Sequence, residues 1–446
     1  MLRRAVHHQA SLIRHDTDAR AISFRVHRGA VSAPSNPIHE NQRVECTWTI
    51  RHDDSSAFRQ LRNAWRGPPR VEKLKVLTPG LTIVRVSPEL GELLGDDAVA
   101  RVRVSSSSAD ILRSVHVAAA SPNRARVDFR WPSVDHERSG HLLTEIDLPH
   151  ANAVRSLAAI GLSDVVVAND SRLFVDASTT NVRLDTLQIG AWGKSSQVTM
   201  HVAGLDVKRS VDVGVGGGRQ GGVALAADSL IASRLHLFAL GNGDLELAVR
   251  RHLEVDDIKS FAVGGSSIVL QAPESQETAK QNTTAKRQAA VAVGSVCVDT
   301  GSLSTEGSKV IALGSNDLCL QTRDGLRVRS IGSSVVECVG RIPPRLDVRG
   351  LPWPTLVETS KANMDKGEAP MSTGGVQYPT VEEAFENETV LWKPRPWSSL
   401  SRWFEQNGGN DWKDGREKGE EGGRNSHSRT KGRRHRSRWA EDQSWV

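Results

Sequence analysis

Val211-Asp-Val-Gly-Val215, Leu235-His-Leu-Phe238, Leu245-Glu-Leu-Ala-Val249 and Ser267-Ile-Val-Leu270 are successive members of the series that decides the fold. Asp164-Val-Val-Val167, Asn181-Val-Arg-Leu184 and Val198-Thr-Met-His-Val202 precede them. Val296-Cys-Val298, Leu318-Cys-Leu320 and Val335-Val-Glu-Cys-Val339 follow. The runs return every twenty-odd positions and are separated by Gly, Asn, Asp and Ser. Alternation with a period of two is the strand signature, because neighbouring side chains leave a strand on opposite faces. A strand-only repeat of this period predicts an all-β chain, coiled as a single solenoid of parallel strands.

Composition agrees with narrow β-coils. The 446 residues are 38% hydrophobic but only 4% aromatic, with a single tyrosine, so the core must be built from Val, Leu, Ile and Ala. A formal charge of +6 permits an anionic partner, yet the basic residues concentrate at the two ends and say nothing about the core. Strand grammar begins at Val71-Glu-Lys-Leu-Lys-Val and passes through Leu81-Thr-Ile-Val-Arg-Val, Val99-Ala-Arg-Val-Arg-Val and Thr144-Glu-Ile-Asp-Leu-Pro into the main repeat. The expected organisation is therefore a leader and linker over 1–41, an N-terminal cap region over 42–70, the β-domain over 71–348 and a largely disordered tail over 349–446. Ala57 to Trp65 is expected to form a short helix, and the open ends of the coil need caps, placed at Arg43–Arg70 and Arg341–Pro354.

The order of these segments resembles a known group. A strand-rich opening, the segment Ile146-Asp-Leu-Pro149, and serial coils such as Leu205-Asp-Val-Lys-Arg-Ser-Val-Asp-Val213 and Asp244-Leu-Glu-Leu247 make residues 71 to 348 similar to the adhesin-domain family. That family is a right-handed parallel β-helix of many bacterial surface proteins and a few eukaryotic ones, some expected in mitochondria. The resemblance implies the right hand of the coil and a non-enzymatic scaffold or binding role. It brings no catalytic motif and no cofactor. The insert Glu274 to Arg287 departs from tidy members.

Motifs that would carry chemistry are few. Gly216-Gly-Gly-Arg-Gln-Gly221 matches a dinucleotide fingerprint, but strands rather than alternating helices surround it. Gly193-Lys-Ser195 ends like a phosphate loop, yet Gln188 stands where the first glycine is required. The alternative to a scaffold is an enzyme on the same fold acting on an acidic polysaccharide, which needs acids gathered from neighbouring coils. Asp256-Asp257 is the adjacent pair inside the repeats and reads as a strand end in solvent. His201 and His236 read as exposed polar positions. Cys297, Cys319 and Cys338 recur at the coil spacing beside Val or Leu and read as a buried ladder of small apolar side chains. With Cys46 they are too few for a disulfide framework, and none has zinc spacing.

The ends carry addresses and adhesive chemistry. Arg3, Arg4 and Arg14, with no acid before Asp16 and with Leu2, Val6, Leu12 and Ile13 available for one helical face, fit a mitochondrial transit peptide. The other reading is a basic terminus without an address, with the chain cytoplasmic or nuclear. No run is long and apolar enough for a transmembrane helix. Seven of the eleven tryptophans lie beyond Leu351. Trp392, Trp397 and Trp403 are candidates to dock on the rod or on a partner. Arg433, Arg434, Arg436 and Arg438 are candidates for weak contact with an anionic polymer such as RNA, for a nuclear address or for contact with an anionic membrane.

Overall fold

The computed structural model describes residues 24–28, 43–52, 71–94, 98–121, 124–129, 138–168, 171–175, 183–218, 221–273, 283–360 and 389–392. They are all β except for two short helices, and nearly all strands belong to one large, mostly parallel sheet. In the N-terminal part these are β1 (Phe24–Arg28), β2 (Val44–His52), β3 (Lys73–Val76), β4 (Gly80–Val86), α1 (Glu89–Leu94), β5 (Ala98–Ser106), α2 (Ala109–Ser114), β6 (Val115–Ser121), β7 (Arg124–Phe129) and β8 (Arg138–Leu148). The repeats follow as β9 (Ser156–Ile160), β10 (Ser163–Val167), β11 (Leu184–Gly193), β12 (Gln197–Gly217), β13 (Gly222–Gly241), β14 (Asp244–Gly264), β15 (Ser267–Gln271), β16 (Thr283–Ile331) and β17 (Ser334–Val339). Last come β18 (Arg345–Leu351), β19 (Thr355–Thr359) and β20 (Thr389–Trp392).

Parallel register runs through the repeats, shifting at bulges between Leu184 and Thr186, Val207 and Ser210, and Ala227 and Ser229. Val198 pairs with Val223, Val223 with Leu245, Leu245 with Ile268 and Ile268 with Val298. Further along the same strands, Val213 pairs with Leu237, Leu237 with Ser260 and Ser260 with Ala290. These columns point inward and are buried, with Val211, Val213 and Val215 sharing one face as do Leu245, Leu247 and Val249. Each buried Val or Leu contributes roughly 1.5–3 kcal/mol, so burial along these columns stabilises the stack.

One turn in seven successive repeats is set by glycine. Gly193, Gly217, Gly241, Gly264, Gly294, Gly314 and Gly332 all have φ between +84° and +140°. They also stack directly: a methyl group on Gly241, Gly264 or Gly314 would lie 2.3 Å from the carbonyl oxygen of the glycine one repeat earlier. Only a residue without Cβ adopts this conformation at that separation.

Several expectations need correction. Val44 to His52, in the expected cap region, is a strand, paired antiparallel with β5 and burying Cys46, Trp48 and Ile50 on alternate positions. The stack does not end at Val348 in a cap: β18 continues β16, with Val348 on Val328, and β19 continues β17. β1 and β20 fall inside the segments expected as leader and tail, yet pair antiparallel with β2 and β8. A sheet edge offers unpaired N–H and C=O groups that recruit such extended segments. Residues 57–65, most of the 274–287 insert and residues 1–23 lie outside the described residues.

Candidate functional site

The outward phase of the repeats builds flat columns, and the first stretch of several repeats places Asp164, Asp244, Glu246 or Asp299 in them. One column runs Asp164, Gln197, Gly222, Asp244, Ser267, Cys297. Its neighbour runs Val166, Thr199, Ala224, Glu246, Val269, Asp299. Asp317, Cys319 and Glu337 continue this face, since the Cys319 thiol donates to the Asp299 carboxylate and Cys319 pairs in register with Glu337. No Lys or Arg stands in either column. Burial raises the carboxyls of Asp244 and Glu246 above the ordinary range, Asp244 adding to the effect on Glu246.

The cysteine ladder is overturned here. Cys297 is exposed and Cys319 partly so, and only Cys338 of the three is buried. In Val296-Cys-Val298 and Leu318-Cys-Leu320 the flanking aliphatic residues take the inner face, which forces the thiol outward. At Val336 and Cys338 the phase is opposite, and Cys338 faces in beside Leu320. Burial, and after it Asp299 and other acids, push the Cys297 and Cys319 thiols above their ordinary value. Both are therefore protonated near neutral pH, which suits neither a nucleophile nor a metal ligand. Among the described residues no group of three His, Cys, Asp or Glu side chains is arranged to hold a metal ion.

The remaining sequence candidates are placed as follows. Asp257 receives a bidentate pair from Arg287 at 2.7 and 3.0 Å, and Asp256 pairs with Lys286 at 2.7 Å, so this acid pair is neutralised by the next strand. His201, expected in solvent, is 2% exposed and lies 3.8 Å from Asp228. His236 is half-buried against Asp212 at 2.7 Å. Gly216 and Gly217 end β12, and strand β13, not a phosphate-binding helix, follows Gly221. Gly193 belongs to the glycine corner, with Lys194 exposed behind it. Trp392 ends β20, whereas Trp397, Trp403, Arg433, Arg434, Arg436 and Arg438 lie outside the described residues.

A denser charged cluster went unrecognised in the sequence. Glu145 and Asp147 on β8 are 1% exposed or less. Asp147 accepts from Arg85 Nε and from Arg101, each at 2.7 Å, and Glu145 lies 2.8 Å from Arg103 Nε and 3.2 Å from Arg85. The cluster ties β4, β8 and β5 together. Its signal was the charged alternation in Val99-Ala-Arg-Val-Arg-Val opposite Thr144-Glu-Ile-Asp-Leu.

No protein-family model matches the chain, and no curated protein does. Several solved structures are similar. A putative adhesin from Parabacteroides distasonis has 14% identity and a TM-score of 0.39 over 65% of this chain and 92% of its own. A putative adhesin from Parabacteroides merdae has 13% identity and a TM-score of 0.37 over the same shares, 65% and 92%. A putative lipid binding protein from Parabacteroides distasonis has 9% identity and a TM-score of 0.31 over 66% of this chain and 92% of its own.

Proposed function

We propose that the chain is a non-enzymatic binding scaffold, wound as a right-handed parallel β-helix whose outward columns are its working surface. Chain length supports the winding. Gly222 pairs beside Gln197, while Gly217, at the far end of the same strand, is only a few residues from Gly222. A straight strand of 21 residues would span roughly 70 Å, and the short link reaches at most about 18 Å, so each repeat must bend back on itself. Parallel crossovers of this kind take the right hand in nearly every case.

The observation that carries the scaffold reading is the chemistry of the acidic columns. They hold carboxylates and thiols but no Lys or Arg, and the thiols are held protonated. Such a face repels an acidic polysaccharide instead of binding it. The test is incubation of the purified chain with polyuronates and sulfated glycans while new reducing ends are measured. Absence of cleavage is the expected result. Turnover that disappears on Glu246→Gln or Asp299→Asn would replace the scaffold with an enzyme.

The same proposal includes mitochondrial import through residues 1 to about 30, on the strength of Arg3, Arg4 and Arg14. Fusion of that segment to a fluorescent protein checks it, and a diffuse signal unaffected by replacing the three arginines with Glu counts against it.

A further inference from the structure

Counting back from each stacked glycine, the residues one and three positions earlier both point outward, and in consecutive repeats both are apolar. They are Phe238 and Leu240, Phe261 and Val263, Val291 and Val293, Ile311 and Leu313. Phe238 pairs with Phe261 and Phe261 with Val291, so the pairs stack into a continuous band. At one end the band begins with Trp192, whose indole lies across Gly214 and Gly216: a methyl group on Gly216 would be 2.6 Å from the ring. At the other end it stays open, with Ile331 65% and Leu351 81% exposed and in register with each other. Eight strands about 4.8 Å apart make a face roughly 34 Å long.

Outward apolar residues on consecutive strands normally mean a sheet covered on both sides. Beside this band runs a cationic margin, five positions before the glycines, with Lys259, Lys309 and Arg327, joined by Arg329 within the band. The two acids on this face are already engaged, Asp212 by His236 and Asp347 by Arg329, Arg327 and Arg349. The columns that hold Asp244, Glu246 and Asp299 lie on the first stretch of the repeats, away from the band.

We infer that this band and its cationic margin dock the protein on an anionic lipid bilayer, apolar side chains entering the interface and Lys and Arg meeting the headgroups. A second copy laid face to face would bring two cationic margins together around the same apolar strip, whereas anionic headgroups neutralise them. The inference rests on the scaffold reading. Cleavage of a glycan would overturn that reading, and failure to bind lipid without any cleavage overturns the lipid assignment alone.

The experiment is flotation of the full chain with vesicles of phosphatidylcholine, alone or mixed with phosphatidylglycerol. Binding is expected only with the anionic mixture. The double variants Phe261→Ser/Leu313→Ser and Lys259→Glu/Lys309→Glu should each weaken it about tenfold or more. A variant with Arg433, Arg434, Arg436 and Arg438 changed to Gln should still float. Melting temperatures show whether the apolar variant remains folded; if it does not, the charge-reversal pair, which leaves the core untouched, decides. The inference is overturned if anionic vesicles are not bound, or if only the tail variant loses binding. It is also overturned if the apolar variant converts a vesicle-free dimer into a monomer, since a second copy would then be the occupant.

Discussion

At Gly264 the backbone has φ +100°, and an added methyl would sit 2.3 Å from the Gly241 carbonyl oxygen. Gly264→Ala should therefore cost about 1–3 kcal/mol in strain alone, read as a lower denaturant midpoint. Gly307→Ala is the control, because the nearest atom to its methyl would be the Gly325 oxygen at 3.9 Å. Equal effects at both positions would remove the glycine corner as a determinant of the fold. His201 makes a second residue-scale case. Burial, with Arg250 after it, holds its imidazole below the ordinary value of 6.5 against the opposing pull of Asp228. The folded chain keeps the ring neutral while the unfolded chain takes up a proton below that value, so stability should fall as pH drops through about 6.5. Urea titrations across that range should show the slope in the natural chain and a shallower one in His201→Leu. An unchanged slope would assign it to other groups.

Among the elements, the three strands around Glu145 and Asp147 depend on charge as well as burial. Asp147→Asn leaves Arg85 and Arg101 without their shared carboxylate and should destabilise by about 3 kcal/mol, near the lower end for a broken buried pair because the arginines are partly exposed. A loss under about 0.5 kcal/mol, the level of a surface pair, would show that water already screens the site. Strand identity in the repeats was legible because Val, Leu and Ile alternate with polar residues, and Val211–Val215 and Leu245–Val249 lie in the phase that pattern demands. β2 was equally regular, with Cys46, Trp48 and Ile50 inward, but short and isolated from the repeat. The cysteines show the limit of such reading. Val-Cys-Val and Val-Glu-Cys-Val differ by one position in phase, and only the partner strand settles which face the sulfur takes. The apolar band had a sequence signal in Phe238-Ala-Leu-Gly241, Phe261-Ala-Val-Gly264, Val291-Ala-Val-Gly294 and Ile311-Ala-Leu-Gly314, a period hidden because its continuous apolar runs break the alternation. The acidic face had none, since Asp244, Glu246 and Asp299 are brought together by register, not by spacing.

For the β-domain as a whole, stability should be distributed as in a one-dimensional stack, where each repeat rests on its neighbours and no single distant contact dominates. β12, β13 and β14 pair along most of their length on both edges, whereas among the described residues β18 and β19 pair on one edge only, with β16 and β17. A repeat with one neighbour opens at lower free energy than one with two, because opening it breaks one interface instead of two. Native-state hydrogen exchange should then be slowest in Val211–Val215, Leu235–Ala239 and Ile258–Ala262 and should quicken toward Arg345–Thr359. Gly264→Ala, placed in the middle, should speed exchange in β13 and β16 more than in β3 and β7, because a defect in a stack weakens the interfaces on either side of it first. Protection lost at the same rate along the entire domain would mean that it unfolds as one cooperative unit. The repeats would then be joined by something stronger than nearest-neighbour pairing, and the columns of the acidic and apolar faces would form and dissolve together.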